Sequence, residues 1–190
     1  MALDSEARWR LVRKAKEQQT EQPEGEVTIR DVEAGDLVAI AEIYNFYVLN
    51  SVITFDIEAQ SLTEWKSKLE YLQGLEMPFK VAVSPSKQLL GFGYFAPWRQ
   101  KAAFRRTVED TIYLKPSAIG KRIGTRLLSE LLAAGKKSGI REVVAVISDR
   151  GAESSIALHQ KFGFEEQGRL AKVGFKMNKW LGTIILQKHL

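Results

Sequence analysis

The stretch TVEDTIYLKPSAIGKRIGTRLLSELL, residues 107–132, says most about how this chain folds and what it binds. It joins an apolar strand, TIYL, to an amphipathic helix through a loop that contains Pro116, Gly120 and Gly124. The backbone N–H groups at the start of such a helix have no partner within it, and the helix dipole places positive charge at the same end. The loop region 115–126 contains no acidic residue and four basic ones, Lys115, Lys121, Arg122 and Arg126. The stretch therefore predicts an anion site suited to a pyrophosphate.

Composition indicates one globular domain. A chain of 190 residues is long enough to bury a core, and its 45% hydrophobic and 27% charged residues are typical of soluble proteins. The absence of cysteine excludes disulfides, thiolate metal sites and cysteine nucleophiles, and two histidines are too few for a histidine zinc cluster. We therefore expect no metal. No segment has the apolar length of a membrane span or the apolar core of a signal peptide, so we expect a cytoplasmic protein with no membrane contact.

The net charge of +5 is unevenly placed along the chain. Residues 1–26 contain six acidic and five basic side chains, so residues 27–190 carry a charge of +6. Basic side chains cluster at 99–106 and again at 115–126. Such clusters suit an acidic ligand, and since the chain has no recognised nucleic-acid motif, a small acidic ligand is favoured over nucleic acid.

Two parts of the chain differ in character. Residues 1–26 are highly charged, end in QTEQPEGE and predict an N-terminal extension, either a short docking helix or a disordered arm. From residue 27 the apolar pattern alternates between strand and helix spacing. Strands are predicted at 27–32, 79–84, 89–98, 111–114, 142–148, 168–177 and 183–190, and helices at 34–48, 61–74, 124–138 and 154–162. This order predicts an α/β domain at 27–190, with a mixed sheet and helices on both faces.

Several motifs in this order resemble those of a known superfamily. The strand, loop and helix at 111–132 and the segment ALHQKFGF at 157–164 resemble the GCN5-related N-acetyltransferase (GNAT) superfamily. Four longer segments, at 54–65, 95–114, 144–164 and 168–180, are similar to its phosphinothricin acetyltransferase branch: TFDIEAQSLTEW, FAPWRQKAAFRRTVEDTIYL, VAVISDRGAESSIALHQKFGF and GRLAKVGFKMNKW.

The resemblance implies a fold, a reaction and a cosubstrate. The fold would be the GNAT type, a mostly antiparallel, twisted sheet with helices on both faces. The reaction would be acetyl transfer from acetyl-CoA to the amine of a small, amino-acid-like acceptor by direct attack. A homodimer is compatible with this branch, since twofold dimers are common.

The resemblance also implies roles for individual residues. Glu109 would be the base that takes a proton from the acceptor's ammonium group, and His159 would protonate the departing thiolate. The residues implied to hold the cofactor are Ile112, Tyr113, Leu114, Gly120, Lys121, Arg122, Ile123, Gly124 and Ser155. Those implied to bind the acceptor are Thr54, Phe55, Arg99, Phe104 and Lys176.

Structural explanations compete with both catalytic assignments. Glu109 would equally suit a strand edge, paired with Arg105 or Arg106, and a lone histidine in a helix is usually structural. Asp110 follows Glu109 directly, so strand alternation predicts that its side chain points to the opposite face of the sheet.

The chain departs from the family pattern at positions near the predicted cofactor. Ile119 stands where the family has a polar residue, Arg122 where it has a glycine, and Ala152 where it often has an asparagine. The MNKWLG segment at 177–182 also differs from the branch. These departures motivate an alternative function, a degenerate GNAT-fold protein with weak or no CoA binding that acts as a binding or scaffold protein. A third hypothesis is acetylation of a protein N-terminus or lysine.

Overall fold

The computed structural model describes residues 26–190, so all but the last residue of the predicted N-terminal extension lies outside the described part. The seven strands are β1 (Thr28–Asp31), β2 (Phe79–Val83), β3 (Leu89–Pro97), β4 (Thr107–Leu114), β5 (Glu142–Ser148), β6 (Glu165–Lys176) and β7 (Lys179–His189). The four α-helices of this described part are α1 (Leu37–Asn50), α2 (Leu62–Gly74), α3 (Ile123–Lys137) and α4 (Glu153–Lys161). Short 3-10 turns occupy Ala34–Asp36, Ala102–Phe104 and Pro116–Ala118.

All seven strands form one sheet in the order β1-β2-β3-β4-β5-β7-β6. Every neighbouring pair is antiparallel except β4 and β5, which run parallel. The predicted mixed, mostly antiparallel sheet is therefore confirmed. In the part of the chain that the structure covers, no helix is both long and apolar enough to cross a membrane.

The two faces of the sheet are covered by different helices. On one face α1 and α2 pack against β2 and β3, in a core that includes Ile40, Trp65, Phe92 and Tyr94. On the other face α3 packs against β1, β2, β3 and β4, and its buried leucines belong to one core with side chains of β5 and β7. The predicted placement of helices on both faces is confirmed, and it means that neighbouring residues of β4 face different environments.

Local signals explain where the helices begin. Helix α2 starts at a capping box, in which the hydroxyl of Ser61 accepts from the Glu64 amide and the Glu64 carboxylate accepts from the Ser61 amide at 2.6 Å. Helix α1 starts at Leu37, later than the predicted residue 34, because 34–36 form a 3-10 turn stabilised by the Asp36 carboxylate, which accepts from the Glu33 amide at 2.8 Å.

The remaining differences from the predicted elements concern strand length. Strand β4 begins at Thr107 rather than 111, since Val108 and Asp110 alternate into the buried face as the TIYL segment does. Strands β6 and β7 begin at Glu165 and Lys179, earlier than the predicted 168 and 183. Much of β6 is an exposed edge strand, so its sequence lacks the apolar alternation that would indicate its start.

Candidate active site

Strands β4 and β5 separate soon after they meet. Their pairing covers only Thr107 to Glu109 on β4, opposite Glu142 to Val144 on β5. Strand β4 nevertheless continues to Leu114, paired along its other side with β3. The β5-facing backbone groups of 110–114 are therefore not used by the sheet, and they line a slot into which a ligand with amide groups can pair as a strand would. The predicted cofactor residues Ile112, Tyr113 and Leu114 all lie along this slot.

Glu109 lies at the point where the two strands part. Its side chain is half-buried on the face covered by α1 and α2, and its carboxylate forms no hydrogen bond or ion pair with any residue of 26–190. The alternative ion pairs with Arg105 or Arg106 do not occur in this structure. Burial, together with the negative charge of Asp110, raises the pKa of Glu109 above its ordinary value. An unpaired carboxylate with a raised pKa suits a general base near neutral pH.

A hydrogen-bonded cluster lies on the same face, where α1 leads into the segment before α2. The Tyr44 hydroxyl donates to the Asp56 carboxylate at 2.6 Å and lies 3.1 Å from the Thr54 hydroxyl. Gln60 donates to the same Asp56 oxygen at 2.8 Å. These contacts hold the predicted acceptor residue Thr54, which is buried, in a fixed orientation.

Lys176, at the end of β6, contacts this cluster although it is distant from Thr54 in the sequence. Its ammonium donates to the Thr54 carbonyl at 2.9 Å, and only 5% of the residue is exposed. Burial lowers the pKa of Lys176 to about 8, although the charge of Asp56 opposes the change. The ring of Phe55 lies where a side chain on Gly174 of β6 would collide with it, so glycine is needed there for the two segments to meet.

Tyr113 connects the cluster to Glu109. Its ring lies 5.1 Å from that of Tyr44 and 5.5 Å from that of Tyr47, both edge-on or tilted. Burial raises the pKa of Tyr113, and the nearby charges of Asp56 and Glu109 raise it further. Tyr113 is therefore close enough to feel the charges of both Asp56, in the Thr54 cluster, and Glu109.

Two other predicted acceptor residues have no polar contact with this group among the described residues. Arg99 and Phe104 are on the connection between β3 and β4, and neither forms a hydrogen bond or ion pair with the Thr54 cluster in the described chain. The Arg99 guanidinium lies 5.3 Å from the centre of the Trp98 ring. Their role in acceptor binding stays a prediction.

His159 and Asp110 form a buried pair on the opposite face of the sheet from Glu109. The imidazole Nε2 lies 2.8 Å from the Asp110 carboxylate, and the two side chains are 2% and 1% exposed. The predicted alternation of Glu109 and Asp110 is thus observed. The imidazole Nδ1 lies 2.7 Å from the Ser155 carbonyl, which can only accept a hydrogen bond.

The surroundings of His159 favour its protonated form. Burial alone disfavours the charged ring, but the charge and hydrogen bond of Asp110, with the Ser155 carbonyl, raise the pKa of His159 overall. The ring therefore has a proton to give, but both of its nitrogens are already hydrogen-bonded. Protonation of a departing thiolate by His159 stays a prediction.

The loop between β4 and α3 has the features of the predicted anion site. Gly120 and Arg122 adopt positive φ, and α3 begins at Ile123 with no side chain capping its first amides. Gly124 lies close to the Leu114 and Leu158 side chains, each 3.4 Å from where its Cβ would be, so the loop packs tightly between β4 and α4. Free amides and a compact turn fit a pyrophosphate.

The structure identifies site residues that the sequence did not. Tyr44 has the spacing of an ordinary core residue of α1, yet its hydroxyl organises the acceptor cluster with Asp56 and Gln60. Asp110 was predicted to face away from Glu109 but not to bind His159. In the sequence, only the polar residues inside TFDIEAQ pointed to the contacts of Tyr44 with Asp56 and Gln60. No local feature pointed to the contact between Asp110 and His159.

Comparison with known proteins gives a consistent assignment. Residues 29–185 match the family model for an acetyltransferase (GNAT) domain. The phosphinothricin N-acetyltransferase of Alcaligenes faecalis is 34% identical over 163 residues, which cover 86% of this chain and 82% of that protein. An L-methionine sulfoximine/L-methionine sulfone acetyltransferase of Pseudomonas aeruginosa is 31% identical, covering 86% and 94%.

A solved structure shows the same relationship in three dimensions. The crystal structure of a GNAT superfamily phosphinothricin acetyltransferase from Sinorhizobium meliloti, in complex with AcCoA, superposes with a TM-score of 0.82. It is 42% identical in sequence, with 86% of this chain and 88% of that chain covered. With its split sheet and uncapped α3 loop, this chain belongs to the GNAT acetyltransferase family, in the branch of phosphinothricin N-acetyltransferase-like enzymes.

Proposed function

We propose that this N-acetyltransferase transfers the acetyl group of acetyl-CoA to the amine of a small, amino-acid-like acceptor by direct attack. The observation that carries the proposal is Glu109, an unpaired and half-buried carboxylate with a raised pKa at the point where β4 leaves β5. The similarity to enzymes named for phosphinothricin and methionine sulfoximine supports this acceptor class. The chain contains no cysteine that could form an acyl-enzyme.

Acetyl-CoA is the cosubstrate, and the chain has the groups to hold it. The first amides of α3 and the positive-φ turn at Gly120 fit the pyrophosphate, with Lys121 beside them. The β5-facing backbone of 112–114 is free to bind the amides of the pantetheine arm. When bound, the cosubstrate supplies the thioester carbonyl that the acceptor attacks.

Glu109 performs the proton transfer that makes the acceptor nucleophilic. An amine is protonated at neutral pH, so one proton must leave the nitrogen before it can attack the thioester carbonyl. Glu109 takes that proton, directly or through a water molecule. The neutral nitrogen then attacks the thioester carbonyl and gives up a second proton to solvent as the new C–N bond forms and the C–S bond breaks. The departing thiolate then takes a proton, for which His159 is our candidate donor. To donate this proton to the thiolate, His159 must first break its hydrogen bond to either Ser155 or Asp110.

The cluster around Thr54 binds the acceptor on the Glu109 side of the sheet. Phe55 supplies an apolar contact, since its ring is 37% exposed although it packs on β6. Lys176 supplies the nearest cation, suited to a carboxylate of an amino-acid-like acceptor. Asp56 offers the acceptor an acidic neighbour on the same side.

The test is replacement of Glu109 by glutamine, assayed with an amino-acid acceptor panel that includes phosphinothricin and methionine sulfoximine. We expect kcat/KM to fall by about 10²- to 10⁴-fold near pH 7, since this is the usual contribution of a positioned base. The loss of kcat/KM should be smaller at higher pH, where the acceptor is already present as the free amine. The matched control is Glu42→Gln, an exposed carboxylate on α1 that should keep its rate. Full activity of the Glu109 variant across pH would contradict the proposal.

The non-catalytic alternative is separable by a binding measurement. It rests on Ile119, Arg122 and Ala152, but Arg122 keeps the positive φ that the turn requires, with φ of 61° and ψ of 8°. The loop backbone is therefore intact despite the substitution. Absence of any rise in Tm at millimolar acetyl-CoA would favour the alternative, because a ligand selective for the native state must stabilise it.

We also propose a homodimer, on the basis of the exposed apolar surface of the β6–β7 hairpin. Phe175 and Trp180 pair their rings at 5.3 Å and are 57% and 54% exposed. Leu170 and Val173 of β6 are exposed to a similar degree. Large apolar side chains that cluster on one surface usually mark a contact with another protein surface.

A further inference from the structure

The residue that departs most from the family in the α3 loop is also the one with an unusual backbone. Arg122 caps α3 in the left-handed region, with φ of 61° and ψ of 8°, two residues after Gly120 at φ of 81°. A residue with a Cβ is disfavoured there, and glycine would make the same turn without strain. The backbone alone therefore gives no reason for an arginine at this position.

Among the described residues, the Arg122 side chain has no structural partner. It is exposed, and in 26–190 its guanidinium forms neither a hydrogen bond nor an ion pair. The next arginine of the same helix differs, since Arg126 pairs with Glu26 at 2.9 Å. Lys115 and Lys121, on either side of Gly120, also have no side-chain partner in the described residues. The charge of Arg122 is therefore available to a ligand.

The position of Arg122 brings its charge to the predicted pyrophosphate site. As the N-cap residue, it lies directly before the unpaired amides of Ile123 and Gly124, which point out of the start of α3. Its side chain therefore branches from the residue next to the amides that we expect to bind the pyrophosphate. A guanidinium binds phosphate oxygens through two parallel hydrogen bonds, which a glycine cannot provide.

We propose that Arg122 binds a phosphate group of CoA, so that this chain replaces the family's glycine with a charged contact to the cosubstrate. The inference rests on the proposed use of acetyl-CoA. CoA offers two sources for this contact, the pyrophosphate and the 3′-phosphate of the ribose. Both have the same chemistry, and dephospho-CoA, which lacks only the 3′-phosphate, distinguishes them.

Because the backbone at Arg122 is strained, the proposal predicts opposite effects of its replacement on Tm and on CoA binding. Arg122→Gly removes both the strain and the charge, so the ligand-free protein should gain about 2 to 4 °C in Tm while it binds CoA more weakly. Arg122→Ala removes the charge but keeps a Cβ at positive φ, so it should weaken binding without the gain in Tm. If Arg122 had only a structural role, CoA binding would not weaken in variants whose Tm is unchanged or higher.

The experiment is isothermal titration of CoA and dephospho-CoA into the wild type and both variants, with Tm of the ligand-free proteins measured in parallel. We expect both variants to bind CoA about tenfold to a hundredfold more weakly, the loss typical of a charge-assisted contact. Lys137→Ala, which removes one exposed charge at the far end of α3, is the matched control and should change the Kd less than about twofold.

The outcomes distinguish the proposals. If the deficit of Arg122→Gly disappears with dephospho-CoA, the contact is to the 3′-phosphate, and if it persists, the contact is to the pyrophosphate. Either result supports the inference. Equal or tighter CoA binding by Arg122→Gly would overturn it and leave the proposed function standing. Failure of the wild type itself to bind millimolar CoA would instead overturn the proposed function.

Discussion

The buried pair between Asp110 and His159 gives a quantitative prediction about stability. Asp110→Asn keeps the size of the side chain and a hydrogen-bond acceptor but removes the counter-charge from a ring that is 2% exposed and held at 2.8 Å. Breaking a buried ion pair by removing one partner typically costs about 3 to 5 kcal/mol. Because asparagine can still accept from Nε2, we expect the free energy of unfolding to fall by about 3 kcal/mol at pH 6.

The direction of the pKa shift fixes how this loss changes with pH. Since the pKa of His159 is raised in the folded protein, the pair stabilises fully below the ordinary histidine pKa of about 6.5. That stabilisation is lost as pH rises through the raised folded value. The difference between wild type and Asp110→Asn should therefore shrink between pH 6 and pH 9.

Urea unfolding, followed by tryptophan fluorescence at several pH values, measures both quantities. The matched control is Glu142→Gln, because Glu142 pairs at 2.7 Å with the chain's other histidine, His189, and these side chains are 29% and 71% exposed. An exposed pair contributes about 0 to 1 kcal/mol, so the control should change little. A loss below about 1 kcal/mol at pH 6 for Asp110→Asn, or a loss that is constant from pH 6 to pH 9, would refute the reasoning.

Two further predictions follow from groups on the other face and edge of the sheet. In protein labelled with ¹³C at lysine, one Cε resonance, assigned as Lys176 by its absence from a Lys176→Met variant, should titrate near pH 8. The reason is that burial beside Thr54 lowers the pKa of Lys176. A titration midpoint above pH 10 would contradict this burial. Trp180→Glu should convert a dimer to a monomer in light scattering, whereas Tyr71→Glu, an aromatic on α2 with similar exposure, should leave the assembly unchanged. A wild type that is already monomeric would contradict the proposed dimer.

Local chemistry predicted the fold and the loop well. The alternation in TIYL, the glycines of the turn and the apolar face of α3 all act within a few residues, so the β4–α3 unit and its uncapped amides could be inferred from the sequence. The resemblance of the surrounding motifs then supplied the mostly antiparallel character of the sheet. The start of β6 at Glu165 was missed because this strand is largely exposed and lacks the alternating apolar pattern. The start of β7 was missed because it begins with the half-buried Lys179 and the exposed Trp180, before its buried run.

The side-chain contacts of the site depend on residues that are distant in sequence. Asp110 and His159 are 49 positions apart, and Lys176 and Thr54 are 122 apart. No periodicity carries information over such separations, so a lone histidine and a lone lysine could be assigned roles only by resemblance. Arg122 shows a further limit, because turn chemistry favours glycine at positive φ and does not indicate when an arginine will adopt it.

The short pairing of β4 with β5 has a consequence for how the protein behaves outside its reaction. A sheet normally has two edges, but separation after Glu109 gives this one a second, internal pair of edges along 110–114 and the facing part of β5. Strand edges are where chains associate wrongly, and natural proteins usually shield them. The same backbone groups that bind the cosubstrate are thus an aggregation risk when uncovered. We therefore expect bound CoA to cover these edges and to lower the tendency of the protein to associate with itself.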